Sequence, residues 1–509
     1  MKPVIESARL LLAEFTKFRT VRGWMIALCA AAVVFVLVSF FSAYESRSGN
    51  SLVPNGPGGE AVTDTYTFVH RQLGGDGTFT TRVTSLEGEY SSPDAPAGAV
   101  STSSNSAQNS LPEPGLAPWA KAGLILEPDT NQGARYAAVM VTGSHGVQMQ
   151  YNYTHDSPGL SGAVGPSSPR WLRLTRAGDV ITGYDSANGV HWDEIGTARL
   201  TGLPRTVQIG LFVTSPAYFA SGTSVEGTPS AATATFDRIS VRGGLPRGSW
   251  IEDAVGGSSP STWRQRSAGA FTISGSGDIA PLVGGEGAAT HWSGASIVNG
   301  TIVALLFVIV LAALSATSEY RRGLFRATFA ASPRRVLAAK AAVAGSLAFT
   351  AGATATAIAE VVTRHVFAAN GNYLFPQSGP DTARVIIGTG LFLGLAAALA
   401  VALGTMLRRS AATIAVSIVL LILPGILATA TSLPANIDSW LMRLTPTAAF
   451  AIQATLPRYS LVTDAYIPAN GYFPISPWTG LAVLAAYTAA ALGAAVWLVR
   501  LRDARPGAD

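Results

Sequence analysis

Six long apolar runs punctuate this chain, and a polar stretch, residues 44–295, separates the first from the second. The runs are Trp24–Ala43, Ser296–Thr317, Val336–Val362, Val385–Leu407, Ala411–Thr431 and Thr479–Val499. A helix needs around 20 apolar residues to cross about 30 Å of hydrocarbon, where every backbone N–H and C=O must find its partner inside the protein. Each run therefore predicts a transmembrane helix. The first is read as a span and not as a cleavable leader. A charged segment of 23 residues precedes it, it exceeds the roughly 7–15-residue apolar core of a signal peptide, and no clean small-x-small site follows.

Residues 44–295 carry a different pattern. Short β-rich runs alternate with clusters of Gly, Pro, Asn and Asp, and no helical periodicity of any length occurs. Such spacing predicts an antiparallel, all-β domain inserted between the first two spans. The candidate strands are Thr78–Thr84, Ala120–Leu126, Tyr136–Val141, Val147–Tyr153, Arg170–Arg176, Val180–Tyr184, Thr206–Thr214 and Thr233–Val241. Ser91–Asn109 is low in complexity and reads as a loop, and Asn188-Gly189 is a tight-turn signal. In Trp263–Gly285, the run from Phe271 to Ala280 reads as a further strand leading toward the second span.

Composition agrees with a membrane assignment. The chain is 48% hydrophobic and 13% charged, against about 25% charged in an average soluble domain. Charge also sets a direction. Lys2, Arg9, Lys17, Arg19 and Arg22 precede the first span; Arg321, Arg322, Arg326, Arg334 and Arg335 separate the second from the third, which opens on Lys340. Arg408 and Arg409 lie between the fourth and fifth, and Arg500, Arg502 and Arg505 follow the sixth. The opposite loops carry only Arg364 and Arg384, or Arg443 and Arg458. Basic residues in short loops stay cytoplasmic, so both termini are expected inside and residues 44–295 outside. That outer segment has 15 basic and 21 acidic residues, net −6, and the remainder 20 and 9, net +11. The basic excess suits anionic lipid and topology, and no nucleic-acid partner is expected. Abundant Ala and Gly with few Lys point to a GC-rich bacterium, hence to a bacterial plasma membrane. The single cysteine, Cys29, excludes an internal disulfide, and neither CxxC nor HExxH spacing occurs. No metal and no cofactor is expected.

Within the polar segment, Trp119-Ala-Lys-Ala-Gly-Leu-Ile-Leu126, Trp171-Leu-Arg-Leu-Thr-Arg176, Tyr184-Asp-Ser-Ala-Asn-Gly-Val-His-Trp192, Ile209-Gly-Leu-Phe-Val213 and Phe236-Asp237 follow in order. The series resembles the concanavalin A-like (laminin-G-like) lectin/glucanase sandwich over residues 65–242. The resemblance implies a jelly roll and an adhesion or sugar-binding role, without naming a ligand. Trp171, Arg173, Tyr184 and Trp192 are the candidate glycan-binding residues. The competing reading for Trp119, Trp171 and Trp192 is packing: Leu172 and Leu174 face a core while Trp171, Arg173 and Thr175 face outward, and Trp192 packs a hairpin. Arg173 and Arg176 read as solvated strand positions or ion pairs ahead of ligand clamps. Glycoside hydrolysis needs two carboxylates at a set separation, and Asp185, Asp193 and Glu194 qualify only by being acidic. No calcium loop is recognisable.

The segment Thr317-Ser-Glu-Tyr-Arg-Arg-Gly-Leu-Phe-Arg-Ala-Thr-Phe-Ala-Ala-Ser-Pro-Arg-Arg335 carries a second resemblance. It is similar to the loop after the second span in type-2 ABC transporter permeases, where a Glu-x-x-x-Gly element leads into a short cytoplasmic helix that docks on the ATPase subunit. Glu319, Arg322, Gly323, Phe325, Phe329, Pro333 and Arg334 carry that match and are the candidate coupling residues, in a coupling helix at about 319–335. Phe325 and Phe329 are four apart, so a helix puts both on one side beside Leu324. A plain basic loop would need no Phe. Leu10-Leu-Leu-Ala-Glu-Phe-Thr-Lys-Phe-Arg-Thr20 resembles that family's interfacial helix. Here Ile5, Ala8, Leu12 and Phe15 share a face, as in helices that lie in a membrane surface. Leu444-Thr-Pro-Thr-Ala-Ala-Phe450 resembles the Pro-containing segment before the last span. The large insertion departs from the simplest members and leaves the substrate open.

The chain has no GxxxxGK[ST] phosphate loop, so ATP hydrolysis would reside on a separate subunit and this chain is expected to be no enzyme. The expected organisation is an interfacial helix at 1–22, a first span at 24–43, the β domain at 44–295, five spans within 296–499 and a cytoplasmic tail at 500–509. The leading reading is the permease subunit of an ABC exporter, working as a homodimer or heterodimer with an ABC-type ATPase. The alternative is a membrane-anchored glycan-binding sensor or adhesion protein, and a cell-wall hydrolase is a third reading. An anchor needs one span, whereas this chain has six. Glu360 and Arg364 in the third span read either as a functional intramembrane pair or as groups that snorkel to the interface.

Overall fold

In the computed structural model the chain forms a large β-sheet unit and a helical bundle. The structure describes residues 2–46, 53–91, 112–218, 228–244, 249–257, 262–267, 269–283, 291–292, 299–321, 333–429, 435–462, 466 and 472–503. The helices are α1 (Lys2–Thr20), α2 (Arg22–Glu45), α3 (Thr301–Arg321), α4 (Pro333–Ala369), α5 (Gly379–Leu407), α6 (Ser410–Leu421), α7 (Leu423–Thr429), α8 (Ala435–Leu444) and α9 (Pro477–Asp503), with a 3-10 helix at Pro446–Gln453. The strands are β1 (Val62–Asp64), β2 (Tyr66–Ser91), β3 (Pro112–Pro114), β4 (Lys121–Glu127), β5 (Ala137–Thr142), β6 (Val147–Tyr151), β7 (His155–Pro158), β8 (Arg170–Ala177) and β9 (Val180–Ser186). They continue with β10 (Asp193–Arg199), β11 (Thr206–Thr214), β12 (Ser230–Gly244), β13 (Ile251–Val255), β14 (Thr262–Ser267), β15 (Ala270–Gly275), β16 (Ile279–Pro281), β17 (His291–Trp292) and β18 (Tyr373–Leu374).

Among the described residues, six helical stretches are long and apolar enough to cross a membrane: Arg22–Glu45, Thr301–Ser318, Arg334–Ala369, Gly379–Leu407, Ser410–Ala428 and Pro477–Leu501. Each overlaps one of the apolar runs. The fifth differs from the uninterrupted helix expected there, because α6 stops at Leu421 and α7 starts at Leu423. Pro424 has no N–H to give and its ring clashes with a carbonyl one turn back, so the ladder breaks. The Gly425 and Ile426 amides turn to Ile422 O, and the freed Leu421 carbonyl accepts from Thr447 Oγ1 at 3.1 Å. Small residues bring α4 and α5 together as expected. A Cβ on Gly394 would sit 2.8 Å from Gly345 O, so the two backbones touch there.

The β unit is one antiparallel sheet of 14 strands with the central path β10-β9-β8-β2-β11-β4-β5-β6-β7. β2 explains how so long a sheet closes. Its first part pairs with β11 and β13, and its second part with β8 and β12. Between them lies Gly74-Gly75-Asp76-Gly77, where Gly75 takes φ +74° and a Cβ on Gly77 would meet Arg242 O at 2.6 Å. The sheet folds over at this bend. Leu124, Leu126, Val139, Val141 and Met149 from one half then share a core with Leu172, Leu174, Ile181, Phe236, Phe271 and Ile273 from the other. Every candidate strand read from the alternation lies within an observed one or overlaps it. β15 was legible as a strand, but it pairs with β12 and β14 inside the sheet.

The outer face of the first half is also covered. Tyr66, Phe68, Ile125, Ala138, Met140 and Phe212 pack there beneath Val62, Val255 and Ile279. β1, the first strand after α2, and β16, which is followed by β17 and then α3, pair with each other on this side. Residues 65–242, the extent of the sandwich resemblance, omit β1, β13, β15 and β16, which complete the packing.

Candidate functional site

α1 is helical as expected, with Leu11, Leu12 and Phe15 exposed and Glu14 and Phe18 buried. Phe18 packs with Leu28 and Leu311. The side chains of Ile5 and Ala8 lie outside the described residues. The buried edge of α1 meets α3 and α4 close to the ends that bracket residues 322–332. There Lys17 Nζ donates to Glu14 Oε1 at 2.6 Å, Lys340 Nζ lies 3.9 Å from Glu14 Oε2, and Lys340 Nζ donates to Ser315 O at 3.4 Å. Glu14, Lys17, Phe18, Trp24, Ser315 and Lys340 line a cavity of about 30 Å³. An ion pair with both members buried is costly unless each charge is satisfied, so this knot fixes how α1 sits on α4. Sequence reasoning missed it. Its only signals were an acid inside an apolar segment and a lysine at the start of an apolar run.

Of the candidate coupling residues, Arg322, Gly323, Phe325 and Phe329 lie outside the described residues. Glu319 belongs to the last turn of α3, Pro333 opens α4, and Arg334 is exposed beside it. Pro in a first helical turn costs nothing, since that N–H has no intrahelical partner. Further along α4, Glu360 is buried and receives Arg364 Nε at 3.2 Å.

The candidate glycan residues come together. Strand pairing sets Arg173 opposite Thr80 and Tyr184, and Trp171 opposite Arg82 and Ser186. Leu172 and Leu174 are buried in the core and Trp171, Arg173 and Thr175 face the other way, as the alternation predicted. The aromatic surfaces are occupied, however. The Arg173 guanidinium lies 3.6 Å from the Trp192 ring centroid. A Cβ on Gly189 would come within 2.7 Å of the Trp171 ring, and Arg82 sits 5.6 Å from it on a carboxylate, Asp237. Trp192 Nε1 donates to Gly189 O at 3.2 Å. The Asn188-Gly189 turn itself is the wider loop 187–192, in which Asn188 Oδ1 accepts from the Val190 and His191 amides.

Two other expectations change. Arg176 is neither solvated nor in an ion pair; it is buried and donates to the carbonyls of Gly178, Pro204 and Arg205. Asp185, opposite Asp193 in the ladder, is buried and accepts the Leu160 amide at 2.6 Å. Burial pushes its carboxyl above the ordinary value, against the opposing pull of that amide. It anchors a loop, while Asp193 and Glu194 are exposed.

A cluster that sequence reasoning missed lies under β1 and β16. Tyr153 Oη donates to Asp64 Oδ2 at 2.7 Å, and the Gly133 amide donates to the same oxygen at 2.8 Å. Burial raises the Asp64 carboxyl to about 6, although both donors pull it down. Tyr66 Oη donates to Glu127 Oε2 at 2.6 Å, and burial pushes Glu127 well above the usual carboxylate range. Lys121, fully buried, donates to Asp278 Oδ1 and Ile279 O, both at 2.6 Å. Among the described residues no group of His, Cys, Asp and Glu could hold a metal ion.

No family model and no curated protein matches the chain. Solved structures with a partial likeness include a functionally unknown protein from Saccharomyces cerevisiae, 15% identical over 35% of this chain and 74% of that one, with a TM-score of 0.22. Another is SCP-B, a member of the eqolisin family of peptidases in a complex with a tripeptide, at 10% identity, 42% and 99% coverage and a TM-score of 0.25. Scytalido-glutamic peptidase with a transition-state analogue inhibitor is 7% identical, with 42% and 98% coverage and a TM-score of 0.25. No argument about activity rests on likenesses this weak.

Proposed function

We propose that the chain is the permease subunit of a type-2 ABC exporter in a bacterial plasma membrane. Both termini are cytoplasmic, and residues 44–295 form a concanavalin A-like sandwich on the outer side. The subunit forms a homodimer or heterodimer and moves its substrate with ATP hydrolysed by a separate ABC-type ATPase. The observation that carries this reading is the arrangement around residues 322–332. An amphipathic α1, apolar toward the outside at Leu11, Leu12 and Phe15, is pinned by Glu14 and Lys340 beside the helices that bracket the loop. A membrane-surface helix tied to the base of a span adjoining a partner-binding loop suits a subunit that must pass force from an ATPase into its spans.

The test is Phe325→Ala with Phe329→Ala in the full chain, co-expressed with the ATPase. Basic charge and insertion are unchanged by these substitutions. Buried aromatic anchors each contribute on the order of 2 kcal/mol or more to docking. The double variant is expected to insert, yet to lose co-purification with the ATPase and substrate-stimulated ATP hydrolysis. Wild-type levels of both would reject the coupling role. The second reading, glycan binding by the outer unit, rests on the convergence of Trp171, Arg173, Tyr184 and Trp192 on one sheet face. A glycan array probed with that unit tests it, with Trp171→Ala expected to abolish any signal.

A further inference from the structure

The β unit leaves the helices through two short strands that lie on a buried sheet face, apolar at Phe68, Ile125 and Met140 and polar at Lys121, Glu127 and Gln150. β1 follows α2 in the chain and β16 precedes α3, and the two pair antiparallel with Asp64 opposite Ile279. Neither strand joins the large sheet. They are held on it by side chains, by one backbone bond beside β16, from the Gly277 amide to Ser215 O at 2.9 Å, and by Val62 and Ile279 packed on the apolar part of the face. On the β1 side, Asp64 accepts from Tyr153 Oη and the Gly133 amide, and Gln132 Nε2 donates to Asp64 O at 2.9 Å. On the β16 side, Lys121 Nζ holds Asp278 and Ile279 O, and Gln150 Nε2 also donates to Ile279 O, at 3.2 Å.

The same pair of strands touches the helical part. The Ala61 amide, at the start of β1, donates to Tyr373 Oη at 3.1 Å, and Leu282 N donates back to Ala61 O at 2.9 Å. Tyr373 follows the end of α4, where Asn370 Nδ2 donates to Ala43 O and Asn372 Nδ2 to Ser46 O, both at 2.8 Å. One short segment, Asn370–Tyr373, thus grips the end of α2 and the edge of the strand pair together.

We propose that β1 and β16 form a releasable clasp, fastened to the sheet by Asp64 and Asp278, through which movement of α2, α3 and α4 lifts or seats a cover on this sheet face. A strand pair inside a ladder could not do this, because sliding it would break several backbone hydrogen bonds at once. A pair outside the ladder, held by side chains, one backbone bond and a few apolar contacts, can release at a few points. The face beneath carries polar atoms without hydrogen-bond partners, Glu127 Oε1, Gln148 Oε1 and Gln150 Oε1, which water or a polar ligand would satisfy once the cover lifts.

Asp64 gives the clasp a pH dependence. The groups that face it are Tyr153, which donates to it, Tyr136 before β5, Tyr66 on β2, Glu127 on β4 and Asp278 across the strand pair, with Lys121 paired to Asp278. Apart from Lys121 these groups are acids, and burial already disfavours charge on Asp64. The seated clasp therefore prefers neutral Asp64, and the lifted clasp, open to water, prefers the carboxylate. The clasp is tighter in acid and looser as the pH rises through about 6.

The test is hydrogen exchange on the full chain in lipid nanodiscs, read by mass spectrometry and corrected for intrinsic rates. Peptides covering residues 61–64 and 279–282 are expected to exchange about tenfold faster near pH 8 than near pH 5, with β4 and β5 unchanged. Asp64→Asn, which keeps an oxygen for Tyr153 and Gly133, is expected to hold both peptides at the slow rate at either pH. Tyr373→Phe is expected to speed residues 61–64 at both pH values. The proposal is overturned if wild-type rates in these peptides match those of β4 at both pH values, or if Asp64→Asn keeps the pH dependence. It does not depend on the transporter reading, so the ATPase experiment can fail without touching it.

Discussion

The hydroxyl of Thr447 donates to the carbonyl of Leu421 at 3.1 Å, joining the 3-10 helix before the last span to the break in the fifth. Pro424 creates the break, and beyond it the Gly425 amide, the ordinary i+4 donor to Leu421 O, turns to Ile422 O, in a buried setting where water is scarce. Thr447→Val keeps the shape and removes the donor. An unpaired buried acceptor costs about 1–3 kcal/mol. Thr447→Val is expected to lower the thermal midpoint of the purified chain, while Thr447→Ser keeps it, measured by loss of monodisperse protein on heating. Equal midpoints for the two variants would show that the bond contributes nothing.

The cover over the buried sheet face makes a prediction for stability. Asp64 has a folded-state pKa of about 6, above the ordinary 3.8. Below pH 3.8 both folded and unfolded states hold the proton and the group is neutral in its effect. Between 3.8 and 6 the unfolded state ionises first, so stability falls as pH rises, and above 6 the full cost is present. That cost is about 3 kcal/mol at 1.36 kcal/mol per pKa unit. Asp64→Asn is therefore expected to raise the denaturation midpoint at pH near 8 and to leave it nearly unchanged near pH 4. A variant less stable than wild type near pH 8 would contradict this.

The boundaries of the β unit can be checked by expression. Residues 53–283 contain β1, β13, β15 and β16, and no disulfide is needed because the only cysteine is Cys29. This piece is expected to be a soluble, β-rich monomer by circular dichroism and sedimentation, without an oxidant. A shorter piece, residues 60–245, lacks Phe271 and Ile273 from the core and Asp278 from Lys121. Losing one buried Phe typically costs about 3–5 kcal/mol, so the shorter piece is expected to unfold at distinctly lower denaturant or to aggregate. Equal stability of the two would mean that β15 and β16 are appendages.

The proposed orientation in a membrane rests on charge alone and is open to labelling. In a Cys29→Ala background, a cysteine replacing Ser103 is expected to react with an impermeant maleimide on intact cells, and one replacing Ser332 only after lysis. The reverse pattern would overturn the orientation and, with it, the cytoplasmic docking loop.

The six long apolar helices among the described residues and most strands were legible because their signals are local. A run such as Val385–Leu407 is apolar over a membrane's thickness whatever it packs against, and the alternation in Arg170–Arg176 already assigns Leu172 and Leu174 to a core. What the sequence alone determined was therefore the order of elements and the face each would bury. Tertiary structure decided everything that depends on residues far apart in the chain. Lys121 reads as an ordinary strand lysine until Asp278, 157 residues away, is set on it. No local signal singles out Asp64; Tyr153 and Gly133 close around it in the fold and burial shifts its proton affinity. Glu14 meets Lys340 only when α1 lies on α4. Periodicity records which way a side chain points, but which partner it meets, and how far that partner excludes water, is fixed by the packing of elements that no local pattern encodes.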